Sequence, residues 1–295
     1  MPIEHDISEW TTVIGAQDLI NLFDDVTLIV VDCRFSLADL NEGRVAFEAG
    51  HIPGARYAHL DDDLSGKIVP GMTGRHPLPD PEIMTETIGR WGISNASQVV
   101  VYDSAGGAIA ARLWWILNWL GHERVAVLDG GWQQWLKKGY PTTSHVSTYE
   151  TTQFSGRPDP SLVMTAIQML EILDDDSWNV IDARAAVRYR GEEEPLDPVA
   201  GHIPGALSFP FKENIGDDGL FLLKERLEDR FAPITQAVIS SNDASRVVNY
   251  CGSGVTGAHN ILAMKHSGMA MPRLYAGSWS EWITDPSRPV ATGEE

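Results

Sequence analysis

The sequence predicts an α/β protein made of two consecutive domains, each with a mostly parallel central sheet flanked by helices. Three observations lead to this prediction. The chain has 295 residues, a length that suits two domains of roughly 150 residues each. Short apolar runs alternate with longer helical patterns, as is typical of a sheet covered by helices on both faces. Several segments of the first half also recur, in the same order, in the second half.

The repeat joins four pairs of segments at offsets of 147 to 151 residues. Its strongest member is the turn Ala-Gly-His-Ile-Pro-Gly-Ala, which is identical at 49–55 and at 200–206. A period of this length indicates tandem domains and not a solenoid of short repeats. The other matched segments are Val30–Arg34 with Val180–Arg184, Val99–Asp103 with Val247–Cys251, and Asp129–Trp135 with Ala276–Trp282.

In the first half, short apolar runs predict buried strands over Leu28–Asp32, Gln98–Tyr102 and Val125–Leu128. The segment Ala108–Leu120 is apolar on nearly all sides, so it predicts a well-buried helix. Gly121 follows this segment, at a place where a helix would end.

The second half repeats this order of elements. Strands are predicted over Trp178–Asp182, Arg246–Tyr250 and Arg273–Tyr275, and a helix from about Ala258 to His266. Between the two halves, residues 137–161 are rich in Thr, Ser, Gly and Pro, which favours a connector. The domains are therefore expected at residues 1–150 and 151–295.

Polar residues that occur in both halves are expected to build the fold, because both copies need them. Arg34 matches Arg184, and His51 matches His202. We interpret each as part of an ion pair or hydrogen bond that fixes a turn. Residues found in one half alone remain free to take part in chemistry.

Cys251 stands where the first half has Asp103, so the first domain is predicted to be non-catalytic. The cysteine follows an apolar run and opens the loop Cys-Gly-Ser-Gly-Val-Thr ahead of the predicted helix. Loop amides and a helix N-terminus both favour an anionic sulfur, and Gly252 and Gly254 let the backbone curl inward. A lone cysteine is often only a small buried hydrophobe, but this strand–loop–helix context favours a reactive thiol.

Composition excludes several function classes. The chain carries 22 basic and 41 acidic residues, for a net charge of -19, which argues against nucleic-acid binding. An anionic substrate would need a local positive pocket, since the overall field repels it. No apolar run is long enough to cross a membrane, and Met1–Asp25 has no basic start typical of a signal peptide.

The chain has two cysteines, Cys33 and Cys251. They give no disulfide framework and suit a reducing compartment, so we expect a cytoplasmic protein. Cys33 lies in an apolar run and matches an alanine of the second half, which indicates a packed thiol.

Together these motifs resemble those of the two-domain rhodanese-type sulfurtransferases, from about Val30 to Trp282. The shared features are the Asp-x-Arg strand end, the Gly-His-Ile-Pro-Gly turn, the Gly-Gly-Trp or Gly-Ser-Trp element and the cysteine loop. The loop resembles that of 3-mercaptopyruvate sulfurtransferases, whereas thiosulfate-preferring members typically carry basic residues after the cysteine. The resemblance implies tandem rhodanese-like domains that need no cofactor or metal.

The resemblance also implies a reaction. Sulfur would pass from 3-mercaptopyruvate, or from thiosulfate, through a persulfide on Cys251 to cyanide or to a thiol such as that of a thioredoxin-like protein. Ser253, His76 and Asp61 match residues thought to form a proton relay across the domain interface. The backbone of the rest of the loop would hold the sulfur, and its residues are Gly252, Gly254, Val255 and Thr256.

Arg188 matches the arginine that binds the anionic group of the donor, because a guanidinium offers a planar fork to a carboxylate. Arg190 could assist it. The chain departs from the family at 191–200, where a second arginine is usual and Leu196 or Asp197 stands instead. The preferred donor therefore stays open, and the acidic run Glu192–Glu194 reads as a solvated loop.

Other functions fit the sequence less well. A phosphatase of this fold needs Cys-x5-Arg, but Gly257 stands six residues after Cys251 and the loop has no cation. His59 with the adjacent acidic run 61–63 could suggest a metal site, yet the rest of a ligand set is not evident. A non-enzymatic persulfide carrier or partner-binding module stays open, and it would turn over small acceptors slowly.

Overall fold

The computed structural model describes residues 9–238 and 244–294. Residues 1–8, part of the segment in which no signal peptide is predicted, lie outside the described residues. The first half forms a parallel sheet in the order β1-β5-β4-β2-β3. Its strands are β1 (Val13–Ile14), β2 (Leu28–Asp32), β3 (Arg56–Tyr57), β4 (Gln98–Tyr102) and β5 (Val125–Leu128). The three strands predicted from apolar runs have the predicted bounds.

The second half forms a parallel sheet in the order β7-β6-β8-β9. Its strands are β6 (Asn179–Asp182), β7 (Leu207–Ser208), β8 (Val247–Tyr250) and β9 (Arg273–Leu274). Each predicted strand is confirmed and is one residue shorter at one end. This order repeats that of β3, β2, β4 and β5, so the sequence repeat is also a structural repeat and the predicted α/β fold is confirmed.

Helices cover the sheets, and three short 3-10 turns lie at 160–162, 211–214 and 244–246. Some helix starts are fixed by side chains, such as that of Asp80, which accepts hydrogen bonds from two amides of the first turn of α3. Among the described residues, no helix combines the length and apolarity needed to cross a bilayer. The helices are α1 (Ala16–Asn21), α2 (Glu42–Ala49), α3 (Pro81–Arg90), α4 (Ala110–Trp119), α5 (Gly131–Lys137), α6 (Ala166–Glu171), α7 (Ala186–Tyr189), α8 (Lys224–Val238), α9 (Thr256–His266) and α10 (Ser278–Trp282).

Helices α4 and α9 follow the central strands β4 and β8 and pack against each other across the domain interface. Their apolar side chains join one continuous core, which includes Trp114 and Trp115 of α4 and Ile261 and Leu262 of α9. All four side chains are fully buried. Since both helices start at the carboxyl ends of central strands, their packing brings the two post-strand loops into the interface.

The arginines and histidines found in both halves hold turns, as predicted. Arg34 bonds Asp32 at 2.6 Å, and Arg184 bonds Asp182 at 2.6 Å. Each guanidinium also donates to the carbonyl of the glycine just before the repeated histidine. Both histidines bond backbone carbonyls, at 2.6 and 2.7 Å. These residues therefore serve the scaffold of each domain.

Candidate active site

The loop after β8 curls around the sulfur of Cys251. The Sγ atom accepts hydrogen bonds from the amides of Ser253, at 3.5 Å, and Gly254, at 3.2 Å. Gly254 has a φ of 78°, and a Cβ at this position would lie 2.3 Å from the carbonyl oxygen of Ala276. Only glycine fits there. The predicted amide cradle is therefore present, and it faces a buried sulfur.

Helix α9 starts at Thr256, two residues earlier than predicted. Burial alone raises the pKa of the Cys251 thiol, but hydrogen bonds from the Thr256 side chain and from the amides of Ser253 and Gly257 outweigh it. The pKa is therefore lowered from its ordinary value of 9.0. Burial and nearby carboxylates instead raise the pKa of Cys33 well above that value. The pKa values of the two thiols are thus shifted in opposite directions.

The matched loop of the first domain holds the carboxylate of Asp103 in the same way. Its Oδ1 accepts from the amides of Ala105 and Gly107, at 2.8 and 2.9 Å. Its Oδ2 accepts from the amides of Ile109 and Ala110, at 2.7 and 2.9 Å. Four inward amides around one carboxylate indicate that this loop type is built for an anion.

Ser253, His76 and Asp61 form a hydrogen-bonded chain across the domain interface. Ser253 Oγ lies 2.7 Å from His76 Nδ1, and His76 Nε2 lies 3.1 Å from Asp61 Oδ1. Because a carboxylate can only accept, Nε2 carries the hydrogen and Nδ1 accepts from the serine hydroxyl. Burial, with the charges of Arg112 and Arg75, lowers the pKa of His76 to about 3. The imidazole is therefore neutral at physiological pH.

Arg112 of α4 is a site residue that the sequence reasoning missed. Its fully buried guanidinium donates to the carbonyls of Gly254, at 3.0 Å, His76, at 3.0 Å, and Pro77, at 3.3 Å. Burial lowers its pKa to about 10, against an opposing effect of Cys251. The sequence does contain a signal for Arg112, because it is the one charged residue of the otherwise apolar helix α4. A charge buried in this way needs polar partners.

Arg188, in α7, points to two buried carboxylates. It bonds Glu194 through Nη2 at 2.7 Å and Nε at 3.0 Å, and Nη2 also reaches Asp197 at 3.2 Å. Both carboxylate side chains are 3% exposed. The expectation that the whole run 192–194 is solvated is wrong for Glu194, because pairing with Arg188 draws it inward. Hydrogen bonds from Arg188 lower the pKa of Glu194 although burial, the largest effect, raises it.

Arg75 comes from the first domain and meets the same carboxylate, since its Nη1 bonds Asp197. A Cβ on Gly252 would lie 3.0 Å from Arg75 Nη2 and 3.5 Å from each Nη of Arg188. Two guanidinium groups therefore lie over the loop beside Cys251. The sequence reasoning missed Arg75, although its position next to His76 was a signal.

The other predicted site residues lie at helix ends or bond neighbouring groups. Val255 is buried and caps the start of α9. Arg190 caps the end of α7 and pairs with Glu192, at 2.8 Å, and Glu294, at 3.4 Å. The ring of His59 bonds backbone groups on both nitrogens. Within residues 9–238 and 244–294, no cluster of three or more His, Cys, Asp or Glu could hold a metal ion.

Comparison with known proteins gives a separate family match for each half of the chain. The family described as Rhodanese-like domain matches residues 15–138 and 165–285. A probable 3-mercaptopyruvate sulfurtransferase of Pseudomonas aeruginosa is 48% identical over 280 residues, covering 95% of this chain and 97% of the relative. The putative thiosulfate sulfurtransferase SseB of Mycobacterium tuberculosis is 37% identical over 275 residues, covering 90% of each chain. The crystal structure of SseA from Escherichia coli, a 3-mercaptopyruvate sulfotransferase, has a TM-score of 0.77 and 28% identity, over 92% of this chain and 100% of that one.

Proposed function

The chain belongs to the rhodanese family and is a sulfurtransferase, and we propose that it moves sulfur from 3-mercaptopyruvate through a persulfide on Cys251. The observation that carries the proposal is the amide cradle around a buried thiol whose pKa is lowered. A thiolate is the nucleophilic form of cysteine. The cradle therefore supplies a reactive anion in the second domain alone, since Asp103 fills the matched loop of the first.

In the first half-reaction, the Cys251 thiolate attacks the sulfur of 3-mercaptopyruvate. A sulfur–sulfur bond forms, the carbon–sulfur bond breaks, and its electron pair leaves with the carbon as the enolate of pyruvate. That carbon takes up a proton equivalent to the one lost from the donor thiol, and pyruvate departs. The loop amides that hold the thiolate can hold the persulfide in turn.

The Ser253–His76–Asp61 chain supports the proton transfer in this step. The neutral imidazole can accept a proton at Nδ1, through the serine hydroxyl, while Asp61 stabilises the charge that develops on the ring. Two of these residues come from the first domain and Ser253 from the second. The proposed site therefore needs both domains, although only one supplies the nucleophile.

In the second half-reaction, an acceptor attacks the outer sulfur of the persulfide and releases the Cys251 thiolate. Cyanide would leave as thiocyanate, and a thiol would leave as a persulfide. A thioredoxin-like dithiol is a suitable protein acceptor, because its second thiol can release the sulfur as hydrogen sulfide while the pair becomes a disulfide. Such acceptors belong to reducing compartments, so we place the reaction in the cytoplasm.

Arg188 is proposed to bind the carboxylate of the donor. Its guanidinium lies over Gly252, beside the nucleophile, and it is partly open to solvent, with a side chain 15% exposed. Thiosulfate is the second candidate donor, because the relative in Mycobacterium tuberculosis is named for it. The loop favours 3-mercaptopyruvate, since it carries Ser253 hydrogen-bonded to His76 where a thiosulfate site would carry a cation.

The test is a steady-state assay of both donors with cyanide, together with mass spectrometry of the enzyme after donor alone. We expect the larger kcat/KM with 3-mercaptopyruvate and one added sulfur atom on Cys251. Cys251→Ser should abolish both signals. The matched control is Cys33→Ala, because alanine is the residue that the second half has at this position, and it should keep both.

Three outcomes would overturn parts of this proposal. Turnover by Cys251→Ser near the parent rate would remove the nucleophile. A higher kcat/KM for thiosulfate would change the donor. A persulfide on Cys251 without turnover of either donor with cyanide would make the protein a sulfur carrier.

A further inference from the structure

We propose that the protein acceptor of sulfur docks on an apolar surface that two loops form beside the active site. The first loop comprises residues 66–77 of the first domain, and the second loop comprises residues 195–199 of the second domain. The partner that this surface fits is a reduced, thioredoxin-like dithiol protein that presents its cysteine on an apolar surface. The inference rests on the proposed function and names the surface that serves its second half-reaction.

The first loop closes on itself at its base. The amide of Gly66 donates to the carbonyl of Pro77 at 2.9 Å. A Cβ on Gly66 would lie 2.5 Å from the carbonyl oxygen of Leu78, so the two segments approach as closely as only glycine allows. The base also carries His76, which is buried and bonds Ser253. The loop therefore extends from the buried site to the solvent as a compact Ω-loop.

The tip of the first loop is a hydrogen-bonded turn with apolar side chains on its outside. The carbonyl of Val69 accepts from the amides of Met72 and Thr73, both at 3.0 Å, and the Thr73 hydroxyl accepts from the Val69 amide at 3.0 Å. Ile68 is 53% exposed, Val69 is 40% exposed and Met72 is 70% exposed. Several large apolar side chains exposed on one loop indicate an interaction site, whereas single ones are common on any surface.

The second loop lies across a groove from the first. The groove has a volume of about 330 Å³, and its lining includes Ile68 and Arg75 from the first loop and Leu196 and Pro198 from the second. Leu196 is 48% exposed. At the other side, a Cβ on Gly252 would lie 3.0 Å from Arg75 Nη2. The groove therefore joins the exposed apolar side chains to the residue that directly follows the nucleophile.

The first loop is fixed against the second domain. The amide of Arg75 donates to the Ser280 hydroxyl at 3.1 Å. Gly74 packs so closely that a Cβ there would lie 2.5 Å from the carbonyl oxygen of Gly277. A partner that binds to this surface therefore meets two loops already held in place, and binding costs little ordering of the chain.

The two loops interrupt the acidic character of the protein. The chain has a net charge of -19, which repels an acidic partner. Residues 64–79 contain no Asp or Glu, and their cations are Lys67 and Arg75. The one carboxylate of residues 195–199 is that of Asp197, which is 3% exposed and pairs with Arg75 and Arg188. This face therefore suits a partner whose contact surface is apolar and neutral or acidic.

The burial of the sulfur explains why a protein acceptor needs such a surface. Cys251 is 2% exposed, so a small acceptor can diffuse to its persulfide, but the cysteine of a protein approaches only if the residues around it fit the rim. The acceptor thiolate attacks the outer sulfur, and the bond to Cys251 breaks with its electron pair on Sγ. The second acceptor thiol then forms the disulfide and releases hydrogen sulfide.

The test compares two acceptors on the same enzyme. The full-length protein is loaded with sulfur by 3-mercaptopyruvate, freed of excess donor, and mixed with a series of concentrations of reduced thioredoxin or of cyanide. Single-turnover rates are read from hydrogen sulfide or thiocyanate. Met72→Asp and Ile68→Asp should each raise the half-saturating thioredoxin concentration roughly 10-fold or more, as expected for the loss of one apolar side chain from the interface. The rate with cyanide should stay within about twofold of the parent rate.

Ile83→Asp is the matched control. Ile83 lies on α3 of the same domain, and its exposed fraction of 61% falls between those of Ile68 and Met72. The substitution introduces the same charge outside both loops, so both acceptors should react as with the parent. Leu196→Asp tests the second loop in the same way as the first, and it should weaken the reaction with thioredoxin while the reaction with cyanide is kept.

Unchanged half-saturation by thioredoxin in all three loop variants would overturn the inference. A parent persulfide that reduced thioredoxin removes no faster than dithiothreitol does at the same thiol concentration would also overturn it, because docking must give the protein an advantage. If a variant also reacts more slowly with cyanide, Met72→Gln and Ile68→Thr, which add no charge, replace it under the same criteria.

The proposed function has a separate readout. A parent enzyme that forms no persulfide on Cys251 with 3-mercaptopyruvate would remove both the function and the inference. A persulfide that cyanide removes keeps the function, even where the results with thioredoxin overturn the docking surface.

Discussion

Arg112 and His259 make the same contact in opposite directions across the domain interface. Arg112, on α4, donates from Nη1 to the carbonyl of Gly254 at 3.0 Å, and His259, on α9, donates from Nε2 to the carbonyl of Gly106 at 3.0 Å. The two glycines hold matched positions in the two post-strand loops. Each domain therefore fixes the loop of the other, so the interface is part of the active-site architecture.

The hydrogen bonds of Arg112 across the interface predict that Arg112→Met lowers both stability and catalysis. The substitution removes the donor to three carbonyls, and a buried polar group left without a partner costs about 1–3 kcal/mol. We expect a loss of about 3 kcal/mol or more in the free energy of unfolding in urea, and a lower kcat because His76 and the cysteine loop are no longer tied together. Arg112→Lys should recover part of kcat, because it restores a donor to at least one of the carbonyls.

The control for this pair is Arg90→Met, on the exposed face of α3. It should change the free energy of unfolding by about 0.5 kcal/mol or less. Equal stability of Arg112→Met and the parent would show that the hydrogen bonds of the buried arginine do not stabilise the interface.

Cys251 should be alkylated at a rate that rises with pH around a midpoint below 9.0, the ordinary pKa of a thiol. Because the pKa of this thiol is lowered, the thiolate persists to a lower pH than in a free cysteine and is lost as the pH falls through its pKa. Thr256→Val removes a hydrogen bond to the sulfur, so the midpoint of the pH–rate curve should move upward. Rates of iodoacetamide labelling, with peptide mapping, measure both effects.

Cys33 provides the internal control in the same experiment. It is fully buried and its pKa is raised well above the ordinary value, so it should stay unlabelled under native conditions. Labelling of Cys33 at a rate similar to that of Cys251 would contradict the contrast between the two thiols.

Two buried histidines predict a loss of stability in acid. Burial lowers the pKa of His76 to about 3 and that of His259 to about 4, whereas the unfolded chain titrates near 6.5. In acid, the two histidines therefore take up protons in the unfolded state but stay neutral in the folded state. Their contribution to stability is complete above about pH 6.5 and is lost as the pH falls toward 3 to 4, by on the order of a few kcal/mol.

Melting temperatures between pH 8 and pH 4 measure this loss. His259→Gln should flatten the profile, because glutamine can replace the hydrogen bonds to Gly106 and Asn214 but does not titrate. A slope as steep as that of the parent would assign the acid sensitivity to the carboxylates instead.

Ser253→Ala should lower kcat with 3-mercaptopyruvate much more than kcat with thiosulfate. With 3-mercaptopyruvate, the leaving carbon needs a proton, so losing the link to His76 should lower kcat by roughly 100-fold or more. Thiosulfate releases sulfite, which leaves without that proton, and its kcat should fall much less. A parallel kcat comparison with cyanide as acceptor measures the ratio, and equal losses would remove the relay from the proposed mechanism.

Asp103→Asn should destabilise the first domain without touching the nucleophile. An asparagine presents an NH2 group where one carboxylate oxygen now accepts from Ile109 and Ala110, so two amides lose their acceptor. We expect a loss of about 2–4 kcal/mol by urea unfolding. Asp24→Asn, at an exposed position, is the control and should behave as the parent.

Sequence patterns predict the buried strands β2, β4 and β5 to the residue, because apolar runs fill all but one residue of β2 and of β4 and the whole of β5. They do not predict β1 and β3, which are two residues long and carry no periodic signal. The predicted start of α9 lies two residues too late, because Gly257 in the loop lowers local helix propensity. Tertiary contacts outweigh this low propensity, so the helix starts at Thr256.

The same limit applies to the site. The repeat and the loop motif single out Cys251 and Asp103, since both are local features of the sequence. Arg75 and Arg112 could not be assigned in this way, because their partners Asp197 and Gly254 lie more than 100 residues away along the chain. Pairings across a domain interface leave no local pattern, and the division of the chain near residue 150 stays a prediction.

Asp103 also has a consequence for how the protein withstands its own chemistry. A carboxylate forms no persulfide and no sulfenic acid, and it reacts with electrophiles far more slowly than a thiolate, whereas a thiolate in an amide cradle is open to all of these reactions. The two cradles therefore present one reactive sulfur in place of two. Asp103 thus keeps the cradle of the first domain filled without taking part in sulfur chemistry.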